Sequence, residues 1–186
     1  MVIAIRHASF SLYVYRKINL QRREKYMKIK EGDKLPEAKV FVININKEYE
    51  HQEISTSGIL NKDKIILFGL PGAFTPGCSK KHLPRFLEST DKLKEKNIRK
   101  VFCIAINDPF VMEAWGKNNN LKDELTLLAD VKGDFTKSIG AEFNWRNWGL
   151  RSKRYTMLLD AGVVKKLVEE EGKCELTAAE NFLKGI

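Results

Sequence analysis

The sequence predicts an α/β sandwich around a sheet with some parallel pairing, and three observations carry that expectation. Short apolar runs alternate along the chain with stretches whose apolar residues recur at helical spacing, the order that stacks helices on a sheet. Two of those runs, Ile65–Leu70 and Val101–Ile106, are apolar at nearly every position rather than at alternate ones, which suits strands covered on both faces. Near the C-terminus, Tyr155–Leu159 and Val163–Leu167 flank Asp160-Ala161-Gly162, a turn-forming triplet that predicts an antiparallel hairpin at the sheet edge.

Taken in order, the first strand-like run is Val40–Ile45. A second strand, Ile65–Leu70, is ended by Pro71-Gly72. From Cys78 through Phe86 to Leu93 apolar and charged residues alternate at helical spacing, so a helix is expected over Cys78–Glu95 with a kink at Pro84. Strand Lys100–Ile106, helix Pro109–Lys117, strand Thr126–Ala129 and a short helix Phe135–Ile139 follow, then the hairpin and a terminal helix Ala178–Lys184.

The 186 residues suffice for one domain with its own core; no internal repeat occurs, and no stretch has the length of a transmembrane helix. Three cysteines, with neither a C-x-x-C pair nor a cysteine/histidine cluster, argue against a structural zinc site and a secreted disulfide scaffold; a reducing compartment is expected. Residues 1–26 stand apart, with six Lys/Arg against the single acid Glu24. Acid-poor, arginine-bearing leaders are typical of organelle targeting. Mitochondrial import is favoured, with a plastid-type organelle or a disordered basic tail as alternatives. Met27 could start an untargeted cytosolic form, and the domain is expected over 27–186. Of the net charge of +9, +5 belongs to the leader, and the remaining +4 is ordinary. Mixed-sign runs such as Lys92-Leu-Lys-Glu-Lys96 read as solvated faces, which argues against nucleic-acid binding.

The chemistry concentrates in Pro71-Gly-Ala-Phe-Thr-Pro-Gly-Cys-Ser79, which places Cys78 at a loop-to-helix junction after a buried strand. There the backbone N–H groups and the helix dipole favour a thiolate. An unperturbed thiol is only about 3% thiolate at neutral pH, and making the thiolate predominate takes roughly 3.4 kcal/mol. A helix terminus supplies about 0.3–1 kcal/mol, up to about 2. A further cation or charge-assisted hydrogen bond is therefore required. Thr75 can turn its hydroxyl toward Cys78 or toward a substrate oxygen.

The spacing Pro71-x-x-x-Thr75-x-x-Cys78, continued by Lys80-Lys-His-Leu-Pro84, resembles the active-site motif of peroxiredoxins, and the longer run is similar to the subfamily called five in animals and type II in plants. Val101–Trp115, Leu127–Asp130 and Arg151-Ser-Lys-Arg-Tyr155 extend the resemblance from about residue 28 to the C-terminus. It implies a thioredoxin-like three-layer sandwich with a central mixed sheet, and a thiol peroxidase reducing hydrogen peroxide and organic hydroperoxides in antioxidant defence and redox signalling. Cys78 would attack the peroxide, becoming a sulfenic acid. Thr75 would orient the substrate, Pro71 would shield the thiolate, and Arg154, matching the family's arginine, would supply the missing cation. The N–H groups of Gly77 and Cys78 would stabilise the leaving oxygen. No metal or cofactor is expected. The implied partners are hydroperoxides, thioredoxin or glutaredoxin/glutathione as reductant, and a second copy in a homodimer, with no nucleic acid or membrane.

Cys103, expected in a covered strand, is open between a resolving role, as in plant type II members, and core packing. Cys174 lies two residues before the animal resolving position, occupied here by Leu176, and is expected as an exposed thiol. His82 reads as structural or interfacial, with tuning of Cys78 as its alternative. Phe143–Gly149 reads as an aromatic loop: a rim for peroxide entry, a dimer contact, or a site where one tryptophan packs in the core. A redox-sensing interaction protein switched by Cys78 oxidation stays open as a rival, whereas a thiol hydrolase lacks an oriented base beyond His82.

Overall fold

The computed structural model describes residues 27–186; the leader and its boundary at Met27 concern residues 1–26, outside the described residues. Nine strands occur in the order β1 (Lys39–Ile43), β2 (His51–Ser55), β3 (Lys64–Gly69), β4 (Lys100–Ala105), β5 (Thr126–Ala129), β6 (Glu142–Asn144), β7 (Leu150–Ser152), β8 (Arg154–Asp160) and β9 (Val163–Glu170) among these residues. Seven of them form one sheet, β2-β1-β5-β4-β3-β8-β9, while β6 and β7 pair separately. Parallel pairing is confined to β3–β4–β5, and every other neighbour is antiparallel. This is the mixed sheet the sequence predicts, with β8–β9 as the edge hairpin turning through Ala161 and Gly162 at φ of 49° and 77°.

The covered strands divide their side chains by the two-residue period. Ile66, Phe68, Leu70, Cys103 and Ala105 enter one core, and Ile65, Leu67, Phe102 and Ile104 enter the other. Helices α2 (Leu83–Glu88), α3 (Thr90–Glu95), α4 (Pro109–Asn118) and α6 (Ala179–Phe182) close the first core with Phe86, Leu93, Trp115 and Phe182. On the opposite face, α1 (Thr56–Leu60) and α5 (Asp134–Ser138) contribute Leu60 and Phe135. Two helical layers on one sheet make the three-layer sandwich.

The structure departs from the sequence reading in four places. The single helix over Cys78–Glu95 is three pieces: a π-helical turn at Cys78–His82, then α2, then α3. Pro84 has no N–H for the carbonyl four residues back, and the widened turn absorbs this, with Leu83 N–H reaching back to Cys78 O. The break falls not at Pro84 but at Ser89, whose φ/ψ of −98°/8° ends α2. The polar edge strand β2 and the short α1 carry no apolar run and escape the pattern. Finally, Phe143–Gly149 is no plain loop: it forms the end and turn of the β6–β7 hairpin, with Trp145 half-buried and Trp148 exposed, so neither enters the core.

One register places the site. Gly69, the last residue of β3, pairs with Tyr155 near the start of β8. A Cβ on residue 69 would lie 2.2 Å from the Tyr155 ring, so glycine is what allows the ring to pack there. The same register brings Arg154, next to Tyr155, alongside the loop leaving β3.

Candidate functional site

The loop that leaves β3 is held from both ends before it reaches Cys78. Leu70 N–H donates to Ile104 O, continuing the β3–β4 ladder by one bond. Ala73 N–H donates to Asn107 Oδ1 at 3.0 Å, a tether from the segment after β4. Phe74 then takes a left-handed conformation, φ 59°, with its ring 53% exposed, and the chain reverses into the helix. A phenylalanine held there costs on the order of 1–2 kcal/mol. Helical conformation begins at Pro76, and Ser79 N–H closes the first turn on Thr75 O at 2.9 Å. From α4, Trp115 Nε1–H donates to Ser79 Oγ at 2.8 Å and fixes that turn against the core.

Cys78 is fully buried. Arg154 Nη2 lies 3.5 Å from its Sγ, and Arg154 also lies against Gly77, where an added Cβ would come within 3.5 Å of Nη2. Thr75 Oγ1–H donates to Gly72 O at 2.9 Å, so its hydroxyl is turned to the loop rather than to the thiol. Pro71 is partly buried in the same loop. Among the residues predicted from sequence, Arg154 thus lies at the Cys78 sulfur and against Gly77, while Pro71 and Thr75 lie on the loop that leads into the same helical turn. Arg151, the other arginine of the Arg151–Tyr155 run, donates from Nη1 to Leu150 O and has its Nε beside Gly72, in the loop that leaves β3.

His82, one turn after the thiol, is neither interfacial nor exposed. It is fully buried, with Nδ1 3.0 Å from Arg154 Nη1 and Nε2 3.2 Å from Thr177 O. Burial first, and then the neighbouring guanidinium, push its imidazole down to about 3. Sequence reasoning missed the anchors Asn107 and Thr177, which lie 34 and 95 residues from the groups they hold.

The other thiols are placed differently. Cys103 is fully buried on β4 between Phe68 and Leu127, as the all-apolar run predicts, and burial pushes its thiol well above the ordinary range. Cys174 contradicts its expectation of exposure: it is 4% exposed, because Arg85 donates to its carbonyl at 2.7 Å and pairs with Glu175, folding the segment against α2. Leu176, which the sequence reading sets at the resolving position implied by the resemblance, is 60% exposed. Between the helix start and this segment runs a groove of about 610 Å³ bordered by Gly77, Lys80, Lys81, Arg154, Lys173 and Cys174. Among the described residues no three His, Cys, Asp or Glu gather as metal ligands, and no helix is long and apolar enough to cross a membrane.

Comparison with known proteins bears on this arrangement directly. A sequence profile of the Redoxin family matches residues 30–183. The chloroplastic peroxiredoxin-2E of Arabidopsis thaliana is 41% identical over 160 residues, covering 83% of this chain and 68% of that protein. Reduced Prx3 of Vibrio vulnificus in complex with hydrogen peroxide superposes with a TM-score of 0.78 at 36% identity, covering 84% of this chain and 98% of the other. The antioxidant protein of Plasmodium falciparum, described as a 1-Cys peroxiredoxin, gives 0.77 at 30% identity, covering 85% and 100%.

Proposed function

The chain belongs to the redoxin family and, within it, to the peroxiredoxins, thiol-dependent peroxidases; from that premise we propose that Cys78 is the peroxide-reducing nucleophile and that an external thiol recycles it. The observation that carries this reading is Arg154 Nη2 at 3.5 Å from a buried Cys78 Sγ at a helix start. At that distance the guanidinium can supply the cation or charge-assisted hydrogen bond that a nucleophilic sulfur calls for.

The Cys78 thiolate attacks one oxygen of hydrogen peroxide or of an organic hydroperoxide. An S–O bond forms as the O–O bond breaks, and the departing oxygen takes a proton to leave as water or an alcohol. Thr75, its own proton given to Gly72 O, keeps lone pairs that accept from the peroxide O–H, while Pro71 limits access of water. Arg154 and the N–H groups of Gly77 and Cys78 meet the charge that develops on the leaving oxygen. A thiol then attacks the sulfenic acid sulfur, releasing water and leaving a mixed disulfide, and a second thiol frees Cys78 as the reductant is oxidised.

The setting of Cys103 supports recycling from outside: a resolving thiol must ionise, and burial in a central strand pushes this one up. The named 1-Cys relative supports the same reading. Thioredoxin and glutaredoxin/glutathione are the candidate reductants. Phe74, Phe110 and Trp148 are exposed apolar side chains of the kind a homodimer contact would cover. Signalling would use the same oxidation of Cys78.

The catalytic domain is taken as 27–186 and residues 1–26 as a leader. The chloroplastic relative favours the plastid-type destination over the mitochondrial one. A fluorescent reporter fused behind residues 1–26 should collect in plastids, and a diffuse reporter would refute targeting. The function itself is tested by peroxide turnover with each reductant: sustained consumption with one of them is expected, and one stoichiometric oxidation with no turnover would favour a sensor.

A further inference from the structure

His82 is walled by Phe68 and Phe86, with ring centroids at 5.0 and 5.6 Å, and meets polar groups only through its two nitrogens. A guanidinium has only donors, so Nδ1 accepts from Arg154 Nη1; a carbonyl only accepts, so Nε2 carries the proton and gives it to Thr177 O. Both partners therefore select one neutral tautomer. Burial and the adjacent cation keep the ring neutral down to about pH 3. The Thr177 carbonyl is itself fixed. Thr156 Oγ1 donates to it at 2.7 Å, and Glu170 Oε2 accepts from the N–H groups of Leu176 and Thr177 and from Thr177 Oγ1 at 2.9, 3.2 and 3.1 Å.

A carboxylate at position 82 could hold the guanidinium equally well, but it would offset the positive charge that the thiolate needs. A neutral ring acceptor orients the fork and leaves its charge whole. The geometry points to His82 as a positioning residue of the peroxidase, an uncharged imidazole that aims Arg154 Nη2 at Cys78 Sγ while the Thr177 carbonyl of the C-terminal segment fixes its tautomer. This rests on the reading of Cys78 as nucleophile and Arg154 as its cation.

The test replaces His82 by Leu and by Gln, in the otherwise unchanged chain and beside Arg154→Met. Two quantities are read: the pH midpoint of Cys78 alkylation by iodoacetamide, and the second-order rate with hydrogen peroxide. His82→Leu should raise the midpoint by about one unit and slow the peroxide reaction about tenfold. His82→Gln, which keeps a neutral acceptor and a donor, should recover most of the loss. In the Arg154→Met background His82→Leu should change the rate by less than about twofold, because its effect passes through the arginine. Should His82→Leu not fold, His82→Asn, too short to reach both partners, is read the same way. A variant that melts earlier yet keeps the midpoint and the rate, or equal losses in both backgrounds, would overturn the proposal. Cys78→Ser is run alongside. Undiminished peroxide consumption there would remove the nucleophile assignment itself, whereas loss there with an unmoved His82→Leu overturns only the role of His82.

Discussion

Cys78 and Cys103 are both fully buried in the same apolar core, so exposure does not separate them. Their polar surroundings do. Cys103 lies mid-strand among Phe68 and Leu127, and burial pushes its thiol upward. Cys78 opens a helical turn and has a guanidinium at 3.5 Å, itself held by His82. Burial by itself opposes ionisation; what makes a buried sulfur a candidate nucleophile is the cation folded in beside it.

Exchanging each sulfur for oxygen is the hardest test of that contrast. Cys78→Ser should lower the stopped-flow rate with hydrogen peroxide by on the order of a thousandfold or more, while Cys103→Ser keeps it within about twofold. Comparable losses in both would erase the distinction.

The polar surroundings of Cys78 also have a cost that appears at low pH. Unfolded His82 takes up a proton below its usual value of 6.5, whereas folded His82 resists until about 3. Stability of the unmodified chain should therefore fall, relative to His82→Gln, as pH drops from about 6.5 toward 3, by on the order of 3 kcal/mol at about pH 4. Urea melts at a series of pH values check this, and a pH-independent difference would contradict the buried neutral imidazole.

Removing the cation alone is a smaller perturbation than removing the sulfur. Arg154→Met should slow peroxide reduction about tenfold or more, and Arg151→Met, whose guanidinium lies on the loop, less than about threefold. The reverse order would move the cation to Arg151. The smallest effect is expected in the quiet region. Cys103→Ser buries a hydroxyl among apolar side chains and should cost about 1–3 kcal/mol in urea unfolding, with the peroxide rate nearly unmoved.

The two regions also differ in how much of them the sequence carries. The setting of Cys103 is local: an unbroken apolar run gives a covered strand, and the structure has one. The loop and helix start at Cys78 are equally local, written in Pro71–Ser79. Arg154 is 76 residues away, and only the Gly69–Tyr155 register brings it to the sulfur, so family resemblance rather than residue pattern pointed to it. The role of His82 was hidden for the same reason, since its partner Thr177 is 95 residues away. Cys174 misled because it lies among Gly172, Lys173 and Glu175, a solvent-like context; Arg85, from α2, holds that irregular segment down.

The central claim is that peroxide oxidises Cys78 and leaves it as a sulfenic acid for an outside thiol to reduce. Mass spectrometry after one equivalent of hydrogen peroxide, with and without a sulfenic-acid trap, reads this directly. Trapped label on Cys78 in most of the protein, with Cys103 and Cys174 still free thiols, is the predicted result. A quantitative Cys78–Cys103 or Cys78–Cys174 disulfide within one turnover, or first label on Cys103, would contradict it.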